Sequence, residues 1–109
     1  MAEKHDILES KYKRVLLNKG YTLLKKSPFV DYRPDINAKK NKKKLFVEVE
    51  LEKTLHNDHT LKQLSIMYEY VKRSSNNEGV LVVPKSAESQ AKFLLLSIFG
   101  DHKIQVKGM

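Results

Sequence analysis

Glutamates alternate along one face of a hydrophobic segment near the middle of the chain. In segment 45–51 every other side chain is aliphatic, whereas Glu48 and Glu50 share the opposite face with Phe46, and Glu52 continues it. Alternate residues of a strand stand only about 7 Å apart, so these carboxylates repel one another. A cluster of this kind in a central strand needs a compensating cation, either a basic side chain or a bound metal. Glu48 and Glu50 are therefore the strongest candidates for a functional role.

A further carboxylate, Asp35, precedes this segment. A Pro-Asp pair is typical of a turn, and taken alone Asp35 is a turn residue. If a strand that starts at Asp35 pairs with segment 45–51 through a turn centred on 39–44, however, Asp35 converges with Glu48 and Glu50. Carboxylates without an imidazole or thiolate cluster suit Mg²⁺ or Mn²⁺, which prefer oxygen ligands. The sequence therefore predicts a metal site formed by carboxylates on two neighbouring strands.

Basic residues dominate the charge of the chain and concentrate between the two predicted strands. The net charge is +8, from 21 lysines and arginines against 13 acidic residues, and such an excess attracts polyanions. Together with Arg33, the predicted contacts to nucleic acid are the lysines of the 39–44 turn: Lys39, Lys40, Lys42, Lys43 and Lys44. A solvated hairpin tip and a phosphate-binding turn both agree with this pattern.

Length and composition limit the class of protein. A chain of 109 residues accommodates one domain, which we place at 1–109. The absence of cysteine excludes disulfides and thiolate metal sites. The N-terminal residues are polar, and the longest apolar stretch is far shorter than the roughly 20 residues of a membrane span. We therefore expect a soluble, cytoplasmic protein with no membrane association.

The periodicity of the apolar residues predicts how these groups are positioned. Asp6 and Glu9 have the spacing of a capping box, so the first helix should begin with Asp6 as its N-cap and end before Gly20. A second helix should begin within 57–60 and end at about 73. The remaining elements are expected at about 21–24, 35–38, 45–51 and 80–83 for strands, 86–99 for a helix capped by Ser86, and 103–107 for an edge strand. The order α-β-β-β-α-β-α-β indicates an α/β fold, a mixed β-sheet flanked by helices.

With these elements in order, the chain resembles the PD-(D/E)XK nuclease superfamily, which has the restriction endonuclease-like fold. The resemblance covers almost the whole chain, and its motif residues are Arg33-Pro34-Asp35-Ile36 followed by Leu45-Phe46-Val47-Glu48-Val49-Glu50-Leu51. The first helix with Glu9 is similar to that of archaeal Holliday junction resolvases. Lys62 and Gln63 of the second helix, and the strand that ends at Pro84, are also typical of the superfamily.

This resemblance implies roles for individual residues. Asp35, Glu48 and the backbone carbonyl of Val49 would bind Mg²⁺ or Mn²⁺, and Glu9 would be an auxiliary ligand or orient water. The metal would lower the pKa of a bound water and stabilise charge on the scissile phosphate. The implied reaction is hydrolysis of DNA phosphodiester bonds, and the implied assembly is a homodimer.

The chain departs from the superfamily at Glu50, where a lysine is usual. A carboxylate there could bind a second metal or accept a proton from the attacking water. Lys13 or Lys62 could replace the missing lysine, and Gln63 is either a contact to DNA or a packing residue on the flank of its helix. If the protein is active, Glu50→Ala should abolish cleavage.

The sequence thus favours a metal-dependent DNA endonuclease, with a structure-selective or resolvase-like substrate expected over a sequence-specific one. An alternative is a DNA-binding protein that keeps the nuclease fold without catalysis, which the glutamate at position 50 favours. A third hypothesis, an RNA-binding or ribosome-associated domain, explains the lysines and leaves the glutamates without a purpose. The histidines at 56 and 59 are expected to be solvated loop residues.

Overall fold

Three α-helices and five strands make up the residues that the computed structural model describes, which are 4–25 and 32–109. The helices are α1 (Lys4–Asn18), α2 (Asp58–Arg73) and α3 (Glu88–Phe99). The strands are β1 (Thr22–Leu23), β2 (Ile36–Lys40), β3 (Lys43–Val49), β4 (Asn77–Val83) and β5 (Ile104–Gly108). Short 3₁₀ turns occupy Glu52–Thr54 and Lys85–Ala87. This order of helices and strands confirms the order predicted from the sequence.

The strands form one mixed sheet in the order β1-β2-β3-β4-β5. The first three strands pair antiparallel, whereas β3, β4 and β5 pair in parallel. Parallel neighbours require a crossover connection, and α2 and α3 supply the two that are needed. The predicted α/β class, with a mixed sheet flanked by helices, is therefore confirmed.

Each face of the sheet is covered by helices, and β3 contributes to both cores. Its residues Leu45, Val47 and Val49 pack with α1, while Phe46 packs with α2 and α3. On the first face the buried helical residues are Leu8, Tyr12 and Leu16; on the second they are Leu64, Met67, Val71, Ala91 and Leu95. The alternation read from the sequence of β3 thus corresponds to two buried faces, and Glu48 lies on the face of Phe46.

The hairpin between β2 and β3 is longer than predicted. Both strands continue into the lysine segment, so that Lys39 pairs with Lys44 and Lys40 with Lys43. The turn consists only of the residues at 41 and 42, and Asn41 has φ 56°. Asparagine tolerates this left-handed conformation better than most residues, and two-residue turns favour it. The prediction of a turn over 39–44 was therefore wrong, because four of its lysines lie in paired strands.

Two predicted helix caps were also wrong. Asp6 lies inside the first turn of α1 and is therefore not the N-cap. Its carboxylate still interacts favourably with the positive end of the helix dipole. Ser86 lies in the second 3₁₀ turn, and Ala87 is the residue that precedes α3. By contrast, Gly100 ends α3 in the left-handed conformation, with φ 73°, as its position predicts. Among the described residues, no helix combines the length and the apolar character needed to cross a membrane.

Candidate functional site

The candidate site lies where the parallel strands β3 and β4 end and where β2 and α1 begin. Asp35 immediately precedes β2, and Glu50 immediately follows β3. Ile36 pairs with Val47, so one step further along the antiparallel ladder places Asp35 opposite Glu48, on the same face of the sheet. The carboxyl end of parallel strands is the usual position of a ligand site in sheets of this kind.

Asp35 is held by the backbone of the neighbouring strand. The N–H of Val49 donates a hydrogen bond of 2.8 Å to Oδ2 of Asp35. Because the N–H and C=O of one strand residue point to the same side, the carbonyl of Val49 also faces the Asp35 edge of β3. The carboxylate of Asp35 and the carbonyl of Val49 therefore lie on the same edge of β3, and their role as metal ligands stays a prediction.

The first helix adds two side chains to Asp35. Nε2 of His5 lies 3.3 Å from Oδ2 of Asp35, and one ligand atom each from His5, Glu9 and Asp35 lie within 4.8 Å of one another. All three residues are partly exposed, so an ion could reach them from solvent. Burial lowers the pKa of His5, but the carboxylates of Asp35 and Asp6, with a contribution from Glu9, outweigh it and raise that pKa.

Glu48 is the most deeply buried carboxylate of the site, with 1% of its surface exposed. The hydroxyl of Tyr32 donates a 2.9 Å hydrogen bond to its Oε1. Burial raises the pKa of Glu48 to about 8, the negative charge of Asp35 adds to the rise, and the Tyr32 hydrogen bond opposes it. Near neutral pH, Glu48 therefore becomes fully ionised only when a cation offsets its burial.

Glu50 lies beside these groups, after the last residue of β3. Its backbone N–H donates to the carbonyl of Val82, while its Oε2 accepts a 2.7 Å hydrogen bond from the Thr54 hydroxyl. Burial raises the pKa of Glu50, whereas hydrogen bonds from Thr54 and Thr60 lower it. The 3₁₀ turn after β3 and the first turn of α2 thus fix this carboxylate in place.

The donor set suits a divalent cation. Carboxylate oxygens favour Mg²⁺ and Mn²⁺, and an imidazole shifts the preference toward transition metals, among which Mn²⁺ accepts both kinds of donor. The sequence shows no imidazole cluster with these carboxylates, but one histidine, His5, reaches Asp35 from another element. The two histidines named from the sequence, His56 and His59, are exposed, in agreement with the expectation that they are solvated.

Within the described part of the chain, Lys13 is the one predicted auxiliary residue that contacts the site. Its Nζ lies 3.1 Å from Oε2 of Glu9, one helical turn away on the same side of α1. Lys62 is exposed and Gln63 is partly buried on α2, and the hydrogen bonds and ion pairs of the described residues connect neither to the site carboxylates. Lys13 is therefore the better placed of the two candidate substitutes for the missing lysine.

The lysine hairpin lies at the opposite end of β2 from the site. Ile36 and the turn residue Asn41 are five positions apart, which corresponds to about 17 Å of strand. The tip of the hairpin is therefore separated from the acidic residues by the length of β2. Arg33, in contrast, is exposed beside Asp35 and lines the same cavity as that residue.

The hairpin lysines differ in their surroundings. Lys40 donates a 2.6 Å hydrogen bond to the carbonyl of Lys19, and Lys43 lies 3.4 Å from Oε1 of Glu78. The other three, Lys39, Lys42 and Lys44, are exposed and take part in none of the ion pairs found within 4–25 and 32–109. These three are the ones that remain available to an external phosphate.

Sequence reasoning missed three residues of the site: His5, Tyr32 and Thr54. His5 precedes Glu9 by four residues, a spacing that places both on one side of a helix, and this signal could have identified it. Tyr32 and Thr54 meet their carboxylates only through the fold, at separations of 16 and 4 residues. Their hydroxyls have no distinctive pattern in the sequence.

The comparisons with known proteins support the fold. No protein-family model matches the chain, and no curated protein matches it in sequence. Among solved structures, the chain is similar to an XisH family protein from Nostoc punctiforme, with a TM-score of 0.53 and 16% sequence identity. The alignment covers 94% of this chain and 91% of that chain. At this level of identity the likeness shows a shared fold along nearly the full length of both chains.

Proposed function

We propose that this protein is a metal-dependent DNA endonuclease with a restriction endonuclease-like fold. The observation that carries the proposal is the convergence of Asp35, Glu48 and Glu50 with His5 and Glu9 at one end of the sheet. Four carboxylates so close together are costly without a cation. All four stand at positions that the nuclease resemblance singles out, and His5 is the addition. The strong positive charge of the rest of the chain favours a polyanionic substrate.

Asp35 is the residue best placed to hold a divalent ion, assisted by His5, Glu9 and the carbonyl of Val49. Glu48 would complete the set when a cation stabilises its ionised form. When bound, Mg²⁺ or Mn²⁺ would lower the pKa of water and stabilise charge on the phosphate that is attacked. Because an imidazole belongs to the site, we expect Mn²⁺ to support activity at least as well as Mg²⁺.

The remaining groups have roles that follow from their protonation and contacts. Glu50 is held at Oε2 by the Thr54 hydroxyl, and its raised pKa makes it a better proton acceptor near neutral pH than an ordinary carboxylate. Tyr32 orients Glu48 through its hydroxyl. Lys13 holds Glu9 and leaves its remaining donors for a phosphate oxygen.

DNA is the proposed partner, and a homodimer is the proposed assembly, because two active sites are needed to cut both strands. Of the basic residues, Arg33 lies at the site, whereas Lys39, Lys42 and Lys44 lie along the hairpin toward its turn, which is about 17 Å from Ile36 along β2. At 3.4 Å per base pair, a duplex covers that distance in about five steps. One duplex lying along the hairpin would therefore contact both groups.

A cleavage assay tests the proposal. Purified protein is incubated with plasmid, linear duplex and four-way junction DNA in Mg²⁺, in Mn²⁺ and in a chelator. We expect cleavage only with metal, and a loss of at least about a hundredfold in rate for Asp35→Asn, the scale seen when a group that stabilises developing charge is removed. The matched control is Glu69→Gln, which neutralises an exposed carboxylate on α2 and should leave the rate unchanged.

The non-catalytic alternative is favoured by one specific observation. Within 4–25 and 32–109, no lysine or arginine forms an ion pair with Asp35, Glu48 or Glu50, although the resemblance implies a lysine at the position of Glu50. Under this alternative the protein binds DNA and all three metal conditions give no cleavage, while Asp35→Asn changes only binding or stability. That result would replace the endonuclease proposal.

A further inference from the structure

A cavity of about 410 Å³ opens beside Asp35, on the side of the sheet edge formed by β1. Residues from three places line it: Lys13 of α1, the end of β1 with Leu24 and Lys25, and Arg33 and Pro34 before β2. Asp35 belongs both to this lining and to the group with His5 and Glu9. The cavity and the candidate metal ligands are therefore contiguous.

Away from Asp35, the charged residues that line the cavity are basic. Among the described residues, it carries three cationic side chains, Lys13, Lys25 and Arg33, against one carboxylate, that of Asp35. Lys13 is held by Glu9 at the boundary, whereas Lys25 and Arg33 are exposed and enter no ion pair among the described residues. Two exposed cations at the mouth of a concave site, with no ion-pair partner within 4–25 and 32–109, favour an anionic group such as a phosphate.

Size and apolar surface restrict the ligand further. A volume of 410 Å³ lies within the range of sites for small molecules and accommodates a nucleotide, whereas a double helix is far too wide to enter. Leu24, 41% exposed, and Pro34 give the cavity an apolar wall, which a bare phosphate does not require and a base or sugar does. A base reaches such a cavity only if it is unpaired and turned out of the stack.

We infer that this cavity takes up one unpaired nucleotide of a DNA strand, with its phosphate between Lys25 and Arg33 and its base or sugar against Leu24 and Pro34. The inference rests on the proposed function for its placement next to a reacting phosphodiester, and it deepens that function. The substrate becomes DNA with an unpaired nucleotide at the point of attack, such as a flap, a single-stranded end or an open junction.

Binding in the presence of a chelator tests the inference without cleavage. The probes are a fluorescent six-nucleotide oligothymidine and a blunt hairpin duplex, and their dissociation constants are measured by anisotropy. Lys25→Ala/Arg33→Ala removes both mouth cations, which are exposed and should not be needed for folding. The control, Lys103→Ala/Lys107→Ala, removes two charges at the opposite edge of the sheet, near β5.

We expect Lys25→Ala/Arg33→Ala to weaken oligothymidine binding about tenfold or more and duplex binding much less, because two charge-assisted contacts are lost only in the first case. The control should weaken both probes equally and by less than about threefold. Equal losses for both probes with the cavity variant, or no loss at all, would overturn the inference.

Cleavage separates this inference from the proposed function. If wild type prefers oligothymidine through Lys25 and Arg33 but cuts nothing with Mn²⁺, the endonuclease proposal fails and the cavity assignment stands. If wild type cuts DNA and the cavity variant loses flap and duplex cleavage in equal proportion, the cavity assignment fails and the endonuclease proposal stands.

Discussion

At the scale of single residues, the site is defined by a conflict between burial and charge. Glu48 is almost fully buried and Glu50 nearly so, and both lie close enough to Asp35 for its charge to raise their pKa values. Tyr32 and Thr54 each satisfy one carboxylate oxygen, but a neutral hydroxyl donor offsets only part of the cost of a buried charge. Without a cation, these acids must hold a proton or destabilise the fold.

This conflict gives a prediction for Glu48→Gln. The pKa of Glu48 is raised from 4.5 to about 8, so the folded protein holds this proton more tightly than the unfolded chain does. The stability that the proton confers is complete below about pH 4.5 and is lost as the pH rises toward 8, by up to about 1.4 kcal/mol per pH unit. Glutamine keeps an acceptor for Tyr32 and has no proton to lose, so the variant should gain stability over wild type at pH 8 and little at pH 5.

Urea denaturation at the two pH values, with a chelator present, measures this difference. Glu69→Gln, at an exposed carboxylate, should follow wild type at both values. Saturating Mn²⁺ should stabilise wild type more than Glu48→Gln at pH 8. An equal difference between wild type and Glu48→Gln at pH 5 and pH 8 would mean that Glu48 is ionised in the metal-free protein at both values.

The residues of the site divide into those visible in the sequence and those that only the fold assembles. Asp35 and Glu48 stand out because acids are disfavoured in strands, so their presence demands an explanation. His5 and Tyr32 meet them from 30 and 16 residues away; the spacing of His5 to Glu9 indicates one side of a helix, but the contacts of His5 with Asp35 and of Tyr32 with Glu48 depend on the fold. The sequence could therefore predict the acidic centre of the site, and the side chains that surround it required the tertiary structure.

At the scale of elements, the β2–β3 hairpin places like charges opposite each other. Lys39 lies opposite Lys44 and Lys40 opposite Lys43, and like charges in directly opposed positions destabilise a strand pair. Two of the four find internal partners, Lys40 at the carbonyl of Lys19 and Lys43 at Glu78. The pair of Lys39 and Lys44 has no such compensation among the described ion pairs, which agrees with a role toward an external anion.

Lys44→Glu should therefore stabilise the protein and weaken DNA binding together. The substitution turns a repulsive pair with Lys39 into an attractive one, a gain on the order of 0.5 kcal/mol in the free energy of unfolding. Thermal unfolding and anisotropy with duplex DNA measure the two effects. Lys43→Glu is the matched control, because it changes the net charge by the same amount but offsets its gained attraction to Lys40 with a like charge beside Glu78, so it should stabilise the protein less than Lys44→Glu. A loss of stability in Lys44→Glu would show that repulsion between Lys39 and Lys44 does not destabilise the hairpin.

The order of the elements could be predicted from the sequence, whereas some of their boundaries could not. The order of all eight elements followed from apolar periodicity, because each helix and each long strand has a buried face to reveal it. The lysine segment has no apolar residue, so its strand character could not be predicted, and pairing with a neighbour is what extends β2 to Lys40 and starts β3 at Lys43. Similarly, Glu50 was assigned to β3, whereas the strand ends at Val49 and the chain turns into the 3₁₀ segment.

At the scale of the whole molecule, positive charge is distributed around an acidic centre. The net charge of +8 coexists with a group of acids at one end of the sheet, while exposed cations lie at the cavity mouth and on the hairpin. This arrangement suits a polyanion that is held at several points and approaches the acids only at one phosphate. Long-range attraction of this kind weakens as the salt concentration rises. The number of local phosphate contacts determines how steeply DNA affinity falls with salt.

Salt dependence distinguishes specific phosphate contacts from general attraction. Each phosphate that the protein neutralises contributes about 0.9 to the slope of log K against log salt for duplex DNA. If Lys42 and Lys44 each contact one phosphate, Lys42→Ala/Lys44→Ala should lower the magnitude of that slope by up to about 1.8, independently of DNA sequence.

The control, Lys103→Ala/Lys107→Ala, lowers the net charge of +8 by the same amount, but at the far edge of the sheet. It should leave the slope nearly unchanged. The measurement is a titration of duplex DNA in a chelator at four salt concentrations, since metal would add its own electrostatic term. Equal reductions in both variants would show that only net charge matters, and an unchanged slope in the hairpin variant would assign those lysines to solvent. A reduction confined to the hairpin variant would place the duplex along β2 and β3, with its backbone running from the two-residue turn toward Asp35.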